Sequence, residues 1–489
     1  MKTKLIPLLL ISISLFSFGQ KQGNIWYFGD HAGLNFNSGS PIAITNGANA
    51  LIGCPNSCHS EGTSVVCDSS GDLLFYSNGQ QIWNRNHQLM VNGDSLLGNC
   101  SSSQATLIVP QPGSSRYFYI FTTDAFYLDY LQYGFRYSIV DICGDNGFGD
   151  IIPNQKNIKL LDTVGEKLTA IRHSNGVDYW VLTHKFYSNA FYAYLLTSAG
   201  IVDTVITHIG SIHKEYCSGS TYPTRSALGW LKASPNGNKI TCVNGQTCYN
   251  ISELFDFNNT TGQLSNAIKL NTDSIAGGYY GVSFSPDNSK LYISCWLNHD
   301  RIYQFDLTAG SGDSISINNS KAVIADSYFG GNLVALQLGP NGKIYVSRRN
   351  QTFIGAINNP NIAGTNCNYI DTAVSLNGKI CSFGLPNFID FSQYSNTTFN
   401  CETGINVPNN NSVSLTIYPN PAFDNLTVML PRSISKTEIK IFNMLGELEY
   451  SSTITMQKID IDVSSLTSGL HLIQIATGDK ISRQKFIRK

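Results

Sequence analysis

Three phrases decide the fold: SPNGNKITCV at 234–243, SPDNSKLYIS at 285–294 and GPNGKIYVS at 339–347. In each, Pro presets one turn residue, and Asn, Asp or Gly supplies the next. A polar residue then hands over to an apolar run rich in β-branched and aromatic side chains. That is a tight turn entering a strand. Toward the N-terminus the phrase recurs as DSSGDLLFYS at 68–77, QPGSSRYFYIF at 111–121 and HSNGVDYWVLT at 173–183. The turn residues Gly71, Gly113, Gly176, Gly237, Asn288 and Gly342 stand 42, 63, 61, 51 and 54 residues apart. Each interval has room for a four-stranded sheet, so the repeat predicts a β-propeller.

The opening segment NIWYFG at 24–29, followed by LNF at 34–36, reads as strands without a turn phrase. The late run ICSFGLPNFIDF at 380–391 offers a strand that would pair with it, making seven blades, with six and eight as the neighbouring counts. Closing the ring from both chain ends would remove free sheet edges. A pair of β-sandwiches is the rival architecture.

Composition agrees with an all-β class. Tyr and Phe stand at 25 each, Gly at 43, and charged residues at 13% of the 489. The net charge of -1, with no basic cluster before the C-terminus, argues against nucleic acid as a partner. Residues 1–19 read as a signal peptide for the Sec translocon: Lys2 and Lys4, an apolar stretch from Leu5 to Phe16, then Ser17-Phe18-Gly19 at the cleavage point. The apolar stretch falls short of the roughly 20 residues a span needs.

Twelve cysteines in an exported chain predict disulfides. A three-residue loop at Asn244 to Gln246 would set Cys242 opposite Cys248. Cys54-x3-Cys58-His59 has the one spacing that suggests a metal, but the second half of a zinc site is missing. No metal and no cofactor is expected.

Residues 20–391 form the expected cargo domain and 392–413, rich in Asn, Thr, Ser and Pro without periodicity, a linker. From 414 to 489 short alternating stretches predict a small Ig-like β-sandwich. Here YPNPAFDNLTV at 418–428, IFNMLGE at 441–447, VSSLTSGLHLIQI at 463–475 and KFIRK at 485–489 resemble the type A C-terminal sorting domain of type IX secretion cargo. That resemblance implies a Gram-negative bacterium, passage through the periplasm, an outer-membrane translocon, and a sortase-like peptidase that removes the domain at the cell surface. It assigns the sorting signal to Pro419, Asn420, Pro421, Gly446, Gly469, Lys485 and Lys489. His471 departs from the family's usual Tyr and is expected to change packing only locally.

The span 24–391 is similar to a propeller family of surface proteins in gliding, polysaccharide-degrading bacteria, which implies fold and location without a defined activity. Its polar groups are densest at His59, Glu61, Trp83, Asn84, Arg85, Asn86, His87, Ser102 and Gln104. On propeller loops such amides, Arg and Trp would converge at one mouth of the central channel and suit a glycan or a surface protein. The bland alternative is that they tie loop backbones in place.

Enzymatic signatures are sparse. Neither G-x-S-x-G nor H-E-x-x-H occurs. Glycoside hydrolysis needs two carboxylates, and the cargo holds four Glu: Glu61, Glu166, Glu215 and Glu253. A non-enzymatic binding module is therefore expected, with a propeller-type polysaccharide hydrolase as the alternative. Asp-Ser/Thr before a small or aliphatic residue recurs at Asp94, Asp162, Asp203, Asp273, Asp313 and Asp371. It resembles an O-glycosylation acceptor, and equally marks turns entering strands.

Overall fold

Every one of the six turn phrases joins the first strand of a sheet to the second. The computed structural model describes residues 21–45, 61–126, 130–214, 226–245, 251–271, 278–296, 300–327, 332–390, 401, 416–429, 437–443, 446–477 and 480–489. The chain divides into two compact units, Met1–Cys401 and Glu402–Lys489. The signal peptide and the linker expected at 392–413 lie outside the described residues, save Cys401.

The first unit contains seven antiparallel sheets in chain order among the described residues. Sheet 1 holds β1 (Ile25–Phe28), β2 (Ala32–Asn35) and β3 (Ile42–Ile44), and sheet 2 holds β4 (Ser64–Cys67), β5 (Leu73–Ser77) and β6 (Ile82–Asn84). Sheet 3 comprises β7 (Thr106–Pro110), β8 (Tyr117–Thr123), β9 (Phe135–Asp141), β10 (Asp150–Ile151) and β11 (Ile158–Leu161). Sheet 4 comprises β12 (Val164–Arg172), β13 (Tyr179–Lys185), β14 (Ala190–Thr197) and β15 (Gly200–His208). Sheet 5 runs β16 (Leu231–Ala233), β17 (Lys239–Val243), β18 (Ser252–Asn258), β19 (Gln263–Lys269). Sheet 6 runs β20 (Tyr279–Phe284), β21 (Lys290–Cys295), β22 (Asp300–Asp306), β23 (Ala322–Ser327). Sheet 7 runs β24 (Leu333–Leu338), β25 (Ile344–Arg348), β26 (Phe353–Ile357), β27 (Tyr369–Ser375).

The first strands of successive sheets are neighbours, from β1 through β4, β7, β12, β16 and β20 to β24. Sheet 7 packs back on sheet 1, with Tyr345 edge-on to Trp26 at 5.6 Å and to Phe36 at 5.4 Å. The turns work as their residues require: Asp68 Oδ1 accepts from the amides of Ser70 and Asp72, and Gly71 takes a φ of 91°.

The late run does not become a strand of sheet 1. Only Ile380 bridges Asp30, and Cys381–Ile389 then run buried across the inner strands. Phe383 C=O accepts from Ala335 N–H and Ser347 Oγ–H in sheet 7. Asn387 donates its N–H to Thr63, accepts from Ser64 Oγ–H, and donates its amide to Thr106 and Leu168 carbonyls in sheets 3 and 4. Gly384 passes so close to Glu61 that a Cβ there would lie 1.3 Å from the Glu61 carbonyl oxygen. The partners of this segment are spread over several sheets instead of along one ladder.

The cysteine expectation needs correction. Cys143 pairs with Cys401 across a separation of 258 residues, and Cys100 is disulfide-bonded too. Cys67, Cys242, Cys295, Cys367 and Cys381 are buried and outside any disulfide. They face the core, where Cys packs as a small apolar residue, and burial pushes the thiols of Cys67, Cys242 and Cys381 up to about 12. Cys242 is not half of a hairpin disulfide, because Asn244 pairs with Ile251 and the register sets Cys242 opposite Glu253. Cys248 lies outside the described residues.

The second unit is a two-sheet antiparallel sandwich. One sheet orders β28 (Thr416–Tyr418), β29 (Asn425–Met429) and β32 (Lys458–Asp462); the other orders β31 (Leu448–Ile454), β30 (Thr437–Phe442), β33 (Gly469–Thr477) and β34 (Lys480–Arg488). Alternating Leu426, Val428, Ile439, Ile441, Ile473 and Ile475 meet in one core with Phe486.

Candidate functional site

The polar residues singled out above separate into two places. Glu61, Ser102 and Gln104 lie at the buried centre of the sheet unit. Tyr280 Oη–H donates to Glu61 Oε2 at 2.6 Å, and Ser101 Oγ–H to Oε1 at 3.4 Å. Burial, then the neighbouring Glu166 carboxylate, pushes the Glu61 carboxyl well above its usual range. Glu166, in β12, accepts from Ser103 N–H, Ser103 Oγ–H and Phe126 N–H, all at 2.8 to 2.9 Å. Ser102 Oγ bonds Thr123 Oγ1 at 2.9 Å. Gln104 accepts from the amides of Leu231 and Leu168 and donates to Leu231 C=O, so its side chain joins β12 to β16 as a peptide group would. These groups are all consumed in holding sheets together.

Sequence reasoning missed three members of this centre, Lys167, His184 and His213. Lys167 is fully buried and donates to the carbonyls of Ser226, Ala227 and Leu228; burial lowers its ammonium to about 8. His184 of β13 stacks on His213 at 3.7 Å. Burial lowers His184 to about 3 and His213 well below its ordinary value. Isolated His residues in a sequence carry no signal of such stacking.

Trp83, Asn84, Arg85, Asn86 and His87 sit apart, at the end of β6. Trp83 is no exposed platform: it stacks on Tyr76 at 5.6 Å and is 6% exposed, because its strand faces the core. Asn84 Oδ1 caps the turn by accepting from Asn86 and Gln88 amides, and His87 Nδ1 bonds Tyr76 Oη at 3.1 Å. Arg85 and Asn86 are exposed. The Arg85 guanidinium lies 4.9 Å over the Phe148 ring, in a cleft of about 340 Å³ that Asp68, Asn146 and the Cys401 end of the unit also line. His59 falls outside the described residues, and no group able to hold a metal is found among the described residues. Of the Asp-Ser/Thr sites, Ser95, Thr204, Ser314 and Thr372 are exposed and Thr163 is half-buried, while Asp273 lies outside the described residues.

In the second unit the residues expected to form the sorting signal join the segment at 419–422 to the C-terminal strand. Asn420 Oδ1 accepts from Ile487 N–H at 2.9 Å, and Lys489 N–H donates to Ala422 C=O at 2.9 Å, beside the Pro419 and Pro421 peptides. Gly446 takes a φ of 83° in the turn closed by Asn443 and Glu447, while Gly469 opens β33 opposite Arg488 and Lys485 pairs with Leu472. His471 is buried on Phe486 with Nδ1 against Glu449 and Nε2 against Thr467 C=O, both at 2.7 Å.

The two units define an all-β cargo joined to a sorting module. Residues 416–489 match the family described as the secretion system C-terminal sorting domain. The protein is accordingly secreted to the cell surface and handled by the type IX secretion machinery. The chain is 27% identical over 175 residues to the ulvan lyase NLR42 of Nonlabens ulvanivorans, across 30% of this chain and 33% of that protein. It thus spans about a third of that relative's length. Among solved structures, PorZ, an essential bacterial surface component of the type IX secretion system of Porphyromonas gingivalis, aligns with TM-score 0.30 and 9% identity over 96% of this chain and 74% of its own. The Cps50 (Swd1) β-propeller domain of Myceliophteria thermophila aligns with TM-score 0.36 and 10% identity over 67% and 94%. A quinonprotein alcohol dehydrogenase-like protein of Bacteroides thetaiotaomicron gives TM-score 0.40 and 14% identity over 75% and 78%.

Proposed function

We propose that the seven sheets are the blades of a β-propeller that binds a glycan or a surface protein without catalysis, carried to the surface by an Ig-like tail that the translocon and the sortase-like peptidase recognise. The observation that carries the binding reading is the Arg85 cleft. A planar cation seated on an aromatic ring keeps its N–H fork free for ligand oxygens, and among the described residues Arg85 has no ion-pair partner. The centre offers less, since the Glu61, Glu166 and Gln104 side chains are buried and already hydrogen-bonded within the protein.

A hydrolase or other polysaccharide-active enzyme is the second reading. It is favoured by Glu61, whose raised carboxyl receives the Tyr280 proton donor beside a second carboxyl, Glu166, and by the similarity to an ulvan lyase. A glycan array run beside a reducing-sugar release assay separates the two. Binding without release, weakened by Arg85→Ala at unchanged melting temperature, supports the first reading. Release abolished by Glu61→Gln in a still-folded protein replaces it with the second.

A further inference from the structure

Among the described residues sheet 1 has three strands, one fewer than its neighbour sheet 7, and β3 pairs only with β2. Ile42 on β3 is 57% exposed. Between β3 and β27 lies a groove of about 490 Å³, within the range of small-ligand sites. Its walls are Ile42 and Ala43 on one side and Ala373 and Val374 on the other, apolar surfaces that suit the C–H faces of a sugar ring.

Three polar groups converge on this groove. Lys343 donates to the amide oxygen of Asn358 at 2.7 Å, and Asn358 is itself held by a bond from its Nδ2 to Asn368 C=O at 3.0 Å. The ammonium is thereby fixed in place by a neutral partner. Among the described residues no carboxylate pairs with it, in contrast to Lys239 and Lys290, which occupy the same turn position in sheets 5 and 6 and are paired with Asp256 and Asp306. Tyr345 Oη accepts from Asn341 at 2.9 Å, leaving its own proton to donate, and burial pushes its hydroxyl up to about 12, so it stays protonated.

We propose that this groove binds an acidic sugar residue, its carboxylate or sulfate on Lys343, a ring oxygen or hydroxyl on Tyr345, and its apolar face between β3 and β27. A peptide strand added to β3 fits less well, because its three residues offer few main-chain bonds. The inference rests on the glycan-binding reading, but places a second site away from Arg85.

Calorimetric titration of the full chain with three matched probes tests it: a galacturonic acid tetramer, a sulfated galactose tetramer and the uncharged galactose tetramer. The acidic tetramers are expected to bind about tenfold tighter than the neutral one, and to weaken as salt is raised. The carboxylate and sulfate arms tell which anion fits better. Lys343→Gln, which keeps a hydrogen bond to Asn358 within reach, should erase the acidic preference with the melting temperature unchanged, whereas Arg85→Ala should leave it intact. Equal affinity for all three tetramers, or a preference that survives Lys343→Gln, overturns the proposal. If no tetramer binds while a glycan array shows other ligands, the groove is wrong and the binder reading stands. If the array is blank as well, both fall.

Discussion

The sheet unit and the tail both spend their most conspicuous polar residues on closure, but they close differently. In the tail, Asn420 joins the segment at 419–422 to the C-terminal strand over a short, cleanly alternating core. In the sheet unit, residues 381–389 run buried across the inner strands, where Asn387 bonds Leu168 of sheet 4, while Glu61, Gln104 and Glu166 bond Tyr280, Leu231 and Ser103 from neighbouring parts of the unit. A buried network of this kind is costly wherever one member goes unpaired. The lesson is that a dense set of amides and carboxylates in a repeat protein marks the seams between sheets as readily as a ligand site.

Gly384→Ala should break the contrast most severely. Its Cβ would strike the backbone of Glu61, which no side-chain rotation relieves. We expect a loss of about 4 kcal/mol or more, read by urea unfolding, with the tail's own transition unmoved. A fully stable variant would mean that the segment does not thread the sheets.

Cys401→Ser comes next. The Cys143–Cys401 bond closes the longest loop the first unit shows, and removing it should cost about 3 kcal/mol in non-reducing conditions. The same substitution should be silent once dithiothreitol is present. A cost that persists in reductant would place the effect in packing instead.

The smallest effect is set by pH. The His184 and His213 rings are held neutral in the fold, while in the unfolded chain each protonates near pH 6.5. Because the folded values are depressed, stability is complete above that pH and is lost as pH falls toward about 3, where His184 titrates in the fold. Between pH 7 and 5 the loss should be about 2 kcal/mol for each ring. His184→Phe should flatten that slope; an unchanged slope would assign the acid sensitivity to carboxylates.

Much of this was legible in the sequence. The six turn phrases fall at the first turn of six sheets, since Pro, Asn and Gly act through local backbone geometry that needs no tertiary context. The tail was legible for a different reason, a string of motifs in fixed order. What escaped was long-range. Nothing local in GLPNF distinguishes a threaded segment from an edge strand, and Trp83 reads as a sugar platform until its strand is known to face Tyr76. Arg85 kept its expected exposure because a turn tip stays at the surface whatever the strands behind it do.

Deletion of residues 414–489 asks whether the cargo folds without its address and needs that address for export. The truncated chain retains Cys401 and every sheet of the first unit. We predict an unfolding midpoint equal to that of the intact protein's first unit, together with accumulation in the periplasm and loss from the cell surface. Truncated and intact protein in equal amounts at the surface would contradict the account.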